Sequence, residues 1–231
     1  MTDAPPQPQA AAPRIITASP RLVRPHTKSL VWKFLQCWLR VLCTGLFRFR
    51  TYNRHYIPAH GGVLMVCNHQ SYLDPVLIAV HLTRPMSYLA QAYLFRLPGF
   101  GRLLLHLHAF PVNQGRGERA PIEEAIRRLK EGHLLNIYPE GHRSPNGEIQ
   151  KLHGGATLVA RKAGVPIIPA VVDGSFAAWP RSRVLPRPHS TAVMYGPPLH
   201  IDGLKGDEVT KLIERTLHRM LAELRAMEQG R

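Results

Sequence analysis

The sequence predicts an α/β fold: a single mixed, partly parallel sheet flanked by helices, with an N-terminal amphipathic membrane-interface helix. Three observations carry that expectation. Apolar runs of strand length, among them GGVLMVCN, HLLNIYP and VPIIPAVVDG, alternate with segments of helical period. Two of those helical segments, APIEEAIRRLKEG and GATLVARKAG, close on a glycine, the residue best able to leave a helix through a left-handed turn. A chain of 231 residues is long enough to bury one sizeable core and no more.

Residues 1–27 are rich in Pro, Ala and Thr without apolar periodicity, and read as a disordered tail. No early apolar run suits a cleaved signal peptide. Residues 28–50 follow as an amphipathic helix. Lys33, Gln36, Arg40, Thr44 and Arg48 recur at spacings of three or four and share one face; Leu35, Trp38, Leu39, Leu42 and Leu46 occupy the other. A basic stripe opposite a Trp/Leu face is the pattern of a helix lying in a membrane interface, although the same pattern serves a helix packed on its own domain. Two central charges speak against a bilayer span, at roughly 2.5–3.5 kcal/mol each.

The remainder, residues 51–231, reads as one domain. GGVLMVCN is a buried strand and SYLDPVLIAVHL the helix after it. In APIEEAIRRLKEG, Ile122, Ala125, Ile126 and Leu129 share a face, ahead of the strand HLLNIYP. GATLVARKAG is a short helix before the strand VPIIPAVVDG, and residues 207–228 form a charged amphipathic helix. There is no internal repeat.

The formal net charge of +15 and pI near 10.5 favour acidic partners: anionic lipid, nucleic acid, phosphorylated small molecules or an acidic carrier protein. Nucleic acid is set aside, because neither an RNA-binding aromatic signature nor a helix-turn-helix pattern is present. Cys37, Cys43 and Cys67 make no metal-ligand spacing, and an odd count suits a reducing compartment. Cys67, inside a strand, reads as core. His106-x-His108 and Cys67-x-His69 would each align on a strand face, but no second cluster completes a site, so no metal is expected.

In an α/β sheet, chemistry gathers beyond the carboxyl ends of the strands. One strand ends on Asn68 and His69, a second on YPEGHRS, and a third apolar stretch, LHAFPVNQ, on Asn113 and Gln114. If the strands are neighbours, one rim holds the His69 imidazole, the carboxylates of Asp74 and Glu140, and the cation Arg143. A carboxylate that fixes a histidine tautomer lets the ring act as general base. Ser71-x-x-Asp74 with Pro75 equally fits a helix capping box, and the spacing alone leaves both readings open. Gly141 permits close backbone approach to a ligand, and Arg143 offers a forked donor suited to phosphate.

Taken together, NHQSYLDP, YPEGHRS and VPIIPA resemble the glycerolipid acyltransferase family, best known for its lysophosphatidic acid (1-acylglycerol-3-phosphate) acyltransferases, over roughly residues 50–200. The resemblance implies His69 as general base and Asp74 as its orienting partner. It implies an acceptor side formed by Glu140, Gly141 and Arg143, with Asn68 beside them, and it matches Val165 to Ala170 to a fourth, apolar motif. Two positions depart from the pattern. Gln114 stands where an arginine usually holds the acceptor phosphate, leaving Arg116 and Arg119 as the nearest cations, and His142 stands where threonine is frequent. The implied reaction moves a fatty acyl group from acyl-CoA or acyl carrier protein to the free hydroxyl of a lysophospholipid, foremost 1-acylglycerol-3-phosphate, without a cofactor. The implied location is the cytoplasmic face of an anionic membrane, as a peripheral or monotopic protein. Two alternatives remain: the same fold acting on another lysolipid, such as a lyso-amino-acid lipid, and a basic membrane-binding protein without chemistry.

Overall fold

A computed structural model describes residues 30–112 and 119–230. The expected tail at 1–27, Gln114 and Arg116 lie outside the described residues. Seven strands form one mixed sheet: β1 (Arg50–Tyr52), β2 (Val63–Cys67), β3 (Met86–Gln91), β4 (Ala109–Val112), β5 (Leu134–Ile137), β6 (Ile167–Asp173) and β7 (Ala192–Tyr195). Their order is β1-β7-β6-β2-β5-β3-β4. Strands β2 to β6 are mutually parallel, β7 returns antiparallel to β6, and β1 runs parallel to β7.

Central β2 pairs with both β5 and β6, so Leu64 lies between Leu135 and Ile167. All five of its residues are buried, which is why its sequence is continuously apolar rather than alternating. Its side chains divide between two cores. Val63, Met65 and Cys67 join α1 (Leu30–Phe47) and α2 (Asp74–Val80) on one face. Leu64 and Val66 join α4 (Arg119–Lys130), α5 (Gly155–Ala163) and α7 (Gly206–Gln229) on the other. Two short helices, α3 (Phe100–His106) and α6 (Ser175–Ala178), complete the set. The glycine closures occur as expected: Gly132 follows α4 at φ +89° and Gly164 ends α5 at φ +66°.

The first helix packs on the domain, one of the two arrangements its pattern allows. Its inner stripe is Trp32, Gln36, Cys43 and Phe47, all buried. Gln36 Nε2 donates to the carbonyls of Val80 (2.8 Å) and Leu82 (3.0 Å), and Arg40 Nε donates to that of Val80 (2.8 Å). The last carbonyls of a helix lack intrahelical partners. Gln36 and Arg40, two members of the polar stripe, supply those donors at the end of α2. Leu35 and Leu39, expected on the outward apolar face, are half-buried. The outward face is Phe34, Trp38, Val41, Leu42 and Leu46, with Phe34 77% and Val41 71% exposed. The helix therefore docks on the domain and also presents an apolar surface. It stops at Phe47, and β1 begins at Arg50 paired with Ala192, so a boundary at residues 50 and 51 falls inside a strand. Among the described residues, no helix is long and apolar enough to cross a membrane.

Candidate active site

The parallel strands deliver β2, β5 and β6 to one rim, and the expected site residues gather there around His69. Past Cys67, the Asn68 side chain continues the ladder in place of backbone: its Nδ2 donates to Val172 C=O (2.9 Å) and its Oδ1 accepts from Val172 N–H (2.8 Å). Asn68 is fully buried with both ends of its amide engaged on β6. It fixes the strand end from which His69 projects.

His69 is held from both sides by the loop after β5. Its N–H donates to Glu140 Oε1 (2.6 Å), and its C=O accepts from Ser144 N–H (2.7 Å). Glu140 Oε2 accepts from Gln150 N–H (2.8 Å), and the carboxyl is fully buried. Burial pushes the Glu140 pKa above its ordinary value, and the N–H groups of Gln150 and His69 oppose that rise. Like Asn68, Glu140 positions the strand end, each of its oxygens accepting from a main-chain N–H.

The imidazole meets Asp74 at 2.8 Å from Nδ1 to Oδ2. The same oxygen accepts from the N–H groups of Gln70 (2.6 Å) and Ser71 (2.7 Å). Asp74 opens α2, and no side chain caps that helix, whose N-cap residue is Leu73. Part of the capping-box pattern is nevertheless present, since Asp74 accepts from Ser71 N–H and Ser71 Oγ accepts from Leu73 N–H (3.1 Å), so one carboxylate both closes this turn and faces the histidine. Three donors converge on Oδ2, while buried Oδ1 has no hydrogen-bond partner among the described residues. A buried charge compensated on one side gains when the facing imidazole becomes cationic. The His69 ring stacks on Tyr138 at 3.9 Å and 14°, with 17% of the side chain exposed. With Nδ1 occupied, Nε2 is the ring nitrogen left to meet a substrate.

Below this pair, burial, with Asp74 and Glu140 adding to it, pushes the Cys67 thiol well up, so Cys67 is a neutral core group and not a nucleophile. Arg143 lies on the open side with its guanidinium carbon 3.7 Å from the Tyr72 ring centroid. Among the described residues no carboxylate pairs with it, and a guanidinium stacked by its face keeps its N–H edge available. Gly141 makes the turn at φ +75°. His142 Nδ1 lies 2.8 Å from the Glu140 carbonyl, and its side chain faces outward. Arg119 begins α4 at the same rim, exposed, but β4 stands three strands from β2, about 14 Å by sheet spacing.

A sequence profile of the family described as Acyltransferase matches residues 48–173, more than half of the chain and the whole of this constellation. The chain belongs to the acyltransferase family. It is 29% identical over 171 residues to a 1-acyl-sn-glycerol-3-phosphate acyltransferase of Bacillus subtilis, covering 74% of this chain and 83% of that one. It is 26% identical over 204 residues to the enzyme of the same name from Pseudomonas aeruginosa, covering 86% and 78%. The crystal structure of the 1-acyl-sn-glycerophosphate (LPA) acyltransferase PlsC from Thermotoga maritima superposes with a TM-score of 0.73 at 26% identity, over 84% of this chain and 80% of that one.

In this acyltransferase several site residues went unnoticed in the sequence. Tyr138 supplies the platform under the imidazole. Gln70 Nε2 ties the first loop to Gly147 C=O (2.6 Å), and Ser71 Oγ ties it to Trp179 C=O (2.7 Å). Tyr138 carried a signal as the residue opening the YPEGHRS turn, and Ser71 as the first residue of the Ser71-x-x-Asp74 spacing; Gln70 carried none. Four backbone donors of the adjacent turns are engaged within the protein: those of Gln70 and Ser71 on Asp74, that of Ser144 on His69 C=O, and that of Gly141 on Tyr138 C=O.

Proposed function

We propose that this acyltransferase moves a fatty acyl group from acyl-CoA or acyl carrier protein to the free hydroxyl of 1-acylglycerol-3-phosphate, with His69 as general base. The observation that carries this reading is the His69–Asp74 pair, whose geometry commits Nδ1 to a buried carboxylate and leaves Nε2 for the substrate. The names of the relatives support the acceptor. In the reaction, Nε2 takes the proton of the lysolipid hydroxyl as its oxygen bonds to the thioester carbonyl carbon. Asp74 stabilises the imidazolium. The tetrahedral adduct then expels the thiolate, which takes the proton back from Nε2 and leaves as a thiol. The Arg143 N–H edge meets the acceptor phosphate.

The protein works at the cytoplasmic face of an anionic membrane, as a peripheral or monotopic protein. The outward apolar face of α1 and the net charge of +15 support that location.

The test is purified protein with acyl-CoA or acyl carrier protein and a panel of lysolipids, including lysophosphatidate and a lyso-amino-acid lipid, with products read by mass. Diacylglycerol phosphate should form with wild type and not with His69→Ala. Product from other lysolipids alone would remove the phosphate acceptor, and thioester consumption independent of His69 would remove the mechanism.

A further inference from the structure

The chain between α6 and β7 leaves the sheet at Trp179 and returns at Thr191, on the rim that carries His69. The base of this loop is fixed. Trp179 Nε1 donates to Arg183 C=O (3.1 Å), Arg187 N–H to Ala178 C=O (2.9 Å), and Arg187 Nε to Ala177 C=O (2.7 Å). Pro180, Pro186 and Pro188 stiffen it further. At its tip stand Val184 and Leu185, 88% and 75% exposed. Two adjacent aliphatic side chains held out by an anchored loop are not the scattered apolar exposure of an ordinary surface.

The charge around the tip has one sign. Arg181, Arg183 and Arg187 are exposed, and no Asp or Glu occurs between Asp173 and Asp202. An aliphatic point ringed by arginines complements an anionic lipid interface, with acyl chains below and phosphates around. A tip of two side chains is also far smaller than the roughly 800 Å² per partner of a stable protein–protein interface. The loop is continuous with the site: Ser71 Oγ donates to Trp179 C=O (2.7 Å), the Tyr72 ring lies 5.3 Å from that of Trp179, and Arg143 rests on Tyr72.

We propose that residues 180–188 form an interfacial finger. Val184 and Leu185 insert among the acyl chains of an anionic leaflet, Arg181, Arg183 and Arg187 lie at the lipid phosphates, and the finger holds the mouth of the His69 site against the bilayer. Delivery of a membrane-borne acceptor by this contact rests on the function proposed above; the contact itself does not.

The experiment uses the full-length protein and vesicles of phosphatidylglycerol and phosphatidylcholine. In the double variant Val184→Asp/Leu185→Asp, vesicle binding should fall roughly tenfold or more, since each aliphatic side chain loses its apolar burial. Turnover of long-chain lysophosphatidate in those vesicles should fall in step. Turnover of a short-chain lysophosphatidate below its critical micelle concentration should stay within about twofold, because the chemistry at His69 is untouched. As a second reading, Leu185→Cys in a Cys37→Ser background places an environment-sensitive dye at the tip; Cys43 and Cys67 are buried and Cys37 is exposed. The dye should shift to the blue on anionic vesicles and be quenched by lipid-borne quenchers. Unchanged vesicle binding by the double variant together with a dye blind to vesicles overturns the finger. Equal activity losses on both acceptors with binding intact also overturn it, assigning the loop to the shape of the site. If wild type transfers no acyl group at all, the proposed function fails, while binding and dye still decide the finger.

Discussion

The two sides of the rim around His69 are built differently. On the Asp74 side three buried polar side chains are hydrogen-bonded: Asn68 to β6, Glu140 to the main chain of His69 and Gln150, and Asp74, through Oδ2, to His69, Gln70 and Ser71. On the Arg143 side, a half-exposed guanidinium rests on a half-exposed tyrosine ring through one stacking contact. In the proposed reaction the first arrangement would hold a proton-transfer geometry before substrate arrives, which is where preorganisation lowers a barrier. The second would leave a cation free to adjust to a head group. The proposal thus assigns chemistry to the rigid side of the rim and recognition to the looser one.

The largest effects should come from the rigid side. His69→Ala should lower turnover about 10²–10⁴-fold, the usual contribution of a positioned general base, with the fold retained. Asp74→Asn should approach the same loss for another reason. The N–H groups of Gln70 and Ser71 would keep the asparagine oxygen at the Oδ2 position, so the tautomer is retained and what is lost is the negative charge that stabilises the imidazolium. Circular dichroism and steady-state kinetics on both variants check this; near wild-type turnover by a folded His69→Ala protein would end the mechanism. Glu140→Gln sharpens the contrast. Glutamine has one acceptor oxygen for two N–H donors, so either His69 or Gln150 faces an amide N–H, at about 1–3 kcal/mol for an unmet buried group. Turnover should fall with acceptor KM little changed. A rise in KM with turnover intact would place Glu140 on the acceptor side.

Arg143→Lys probes the loose side and should have a smaller effect. Lysine keeps the charge but loses the planar fork and the stack on Tyr72, so acceptor KM should rise about tenfold at constant turnover, consistent with loss of a charge-assisted bond of roughly 1.5–3 kcal/mol. A fall in turnover with unchanged KM would show that Arg143 stabilises the reaction and does not bind the head group.

The alternation of apolar strand and helical period made β2, β5 and β6 legible because these strands are buried on both faces and leave uninterrupted apolar runs, whereas β1 and β3, less buried and more polar, and short β7 were not read as strands. The strand order was not legible, since β7 inserts between β6 and β1 through contacts distant in sequence. His69, Asp74 and Arg143 could be found from the motifs that carry them. Asn68 and Glu140 sit in those same motifs, yet their task is to bond main chain at the end of a neighbouring strand far away in sequence, which adjacency in sequence cannot reveal. The inward turn of Gln36 and Arg40 was hidden for a similar reason. Helical periodicity places them on a polar face correctly, but it says nothing about the bare carbonyls at the end of α2 that this face meets.

The smallest expected effect lies at that far end of α2, which makes it a control for the comparison. His81 Nδ1 lies 3.0 Å from Thr51 Oγ1, its ring is 5.0 Å from Phe49, and Arg40 and Arg54 stand nearby. Burial, then those two cations, lowers the His81 pKa below its ordinary 6.5. As pH falls below 6.5, the unfolded chain takes up this proton before the folded protein does. The unfolded state therefore binds more protons in that window, and stability declines toward acid and is recovered fully above it. His81→Asn keeps a polar partner for Thr51 and removes the titration. Urea midpoints for the two proteins, followed from about pH 8 down to about pH 5, should diverge only below the ordinary histidine range, with wild type losing more. Turnover of the variant at neutral pH should match wild type, because Asp74 sits at the other end of the helix and takes its donors from the preceding turn. Loss of turnover in His81→Asn at unchanged stability would mean that the two ends of α2 are coupled, and that the rigidity of the His69 side extends through the helix to its contact with α1.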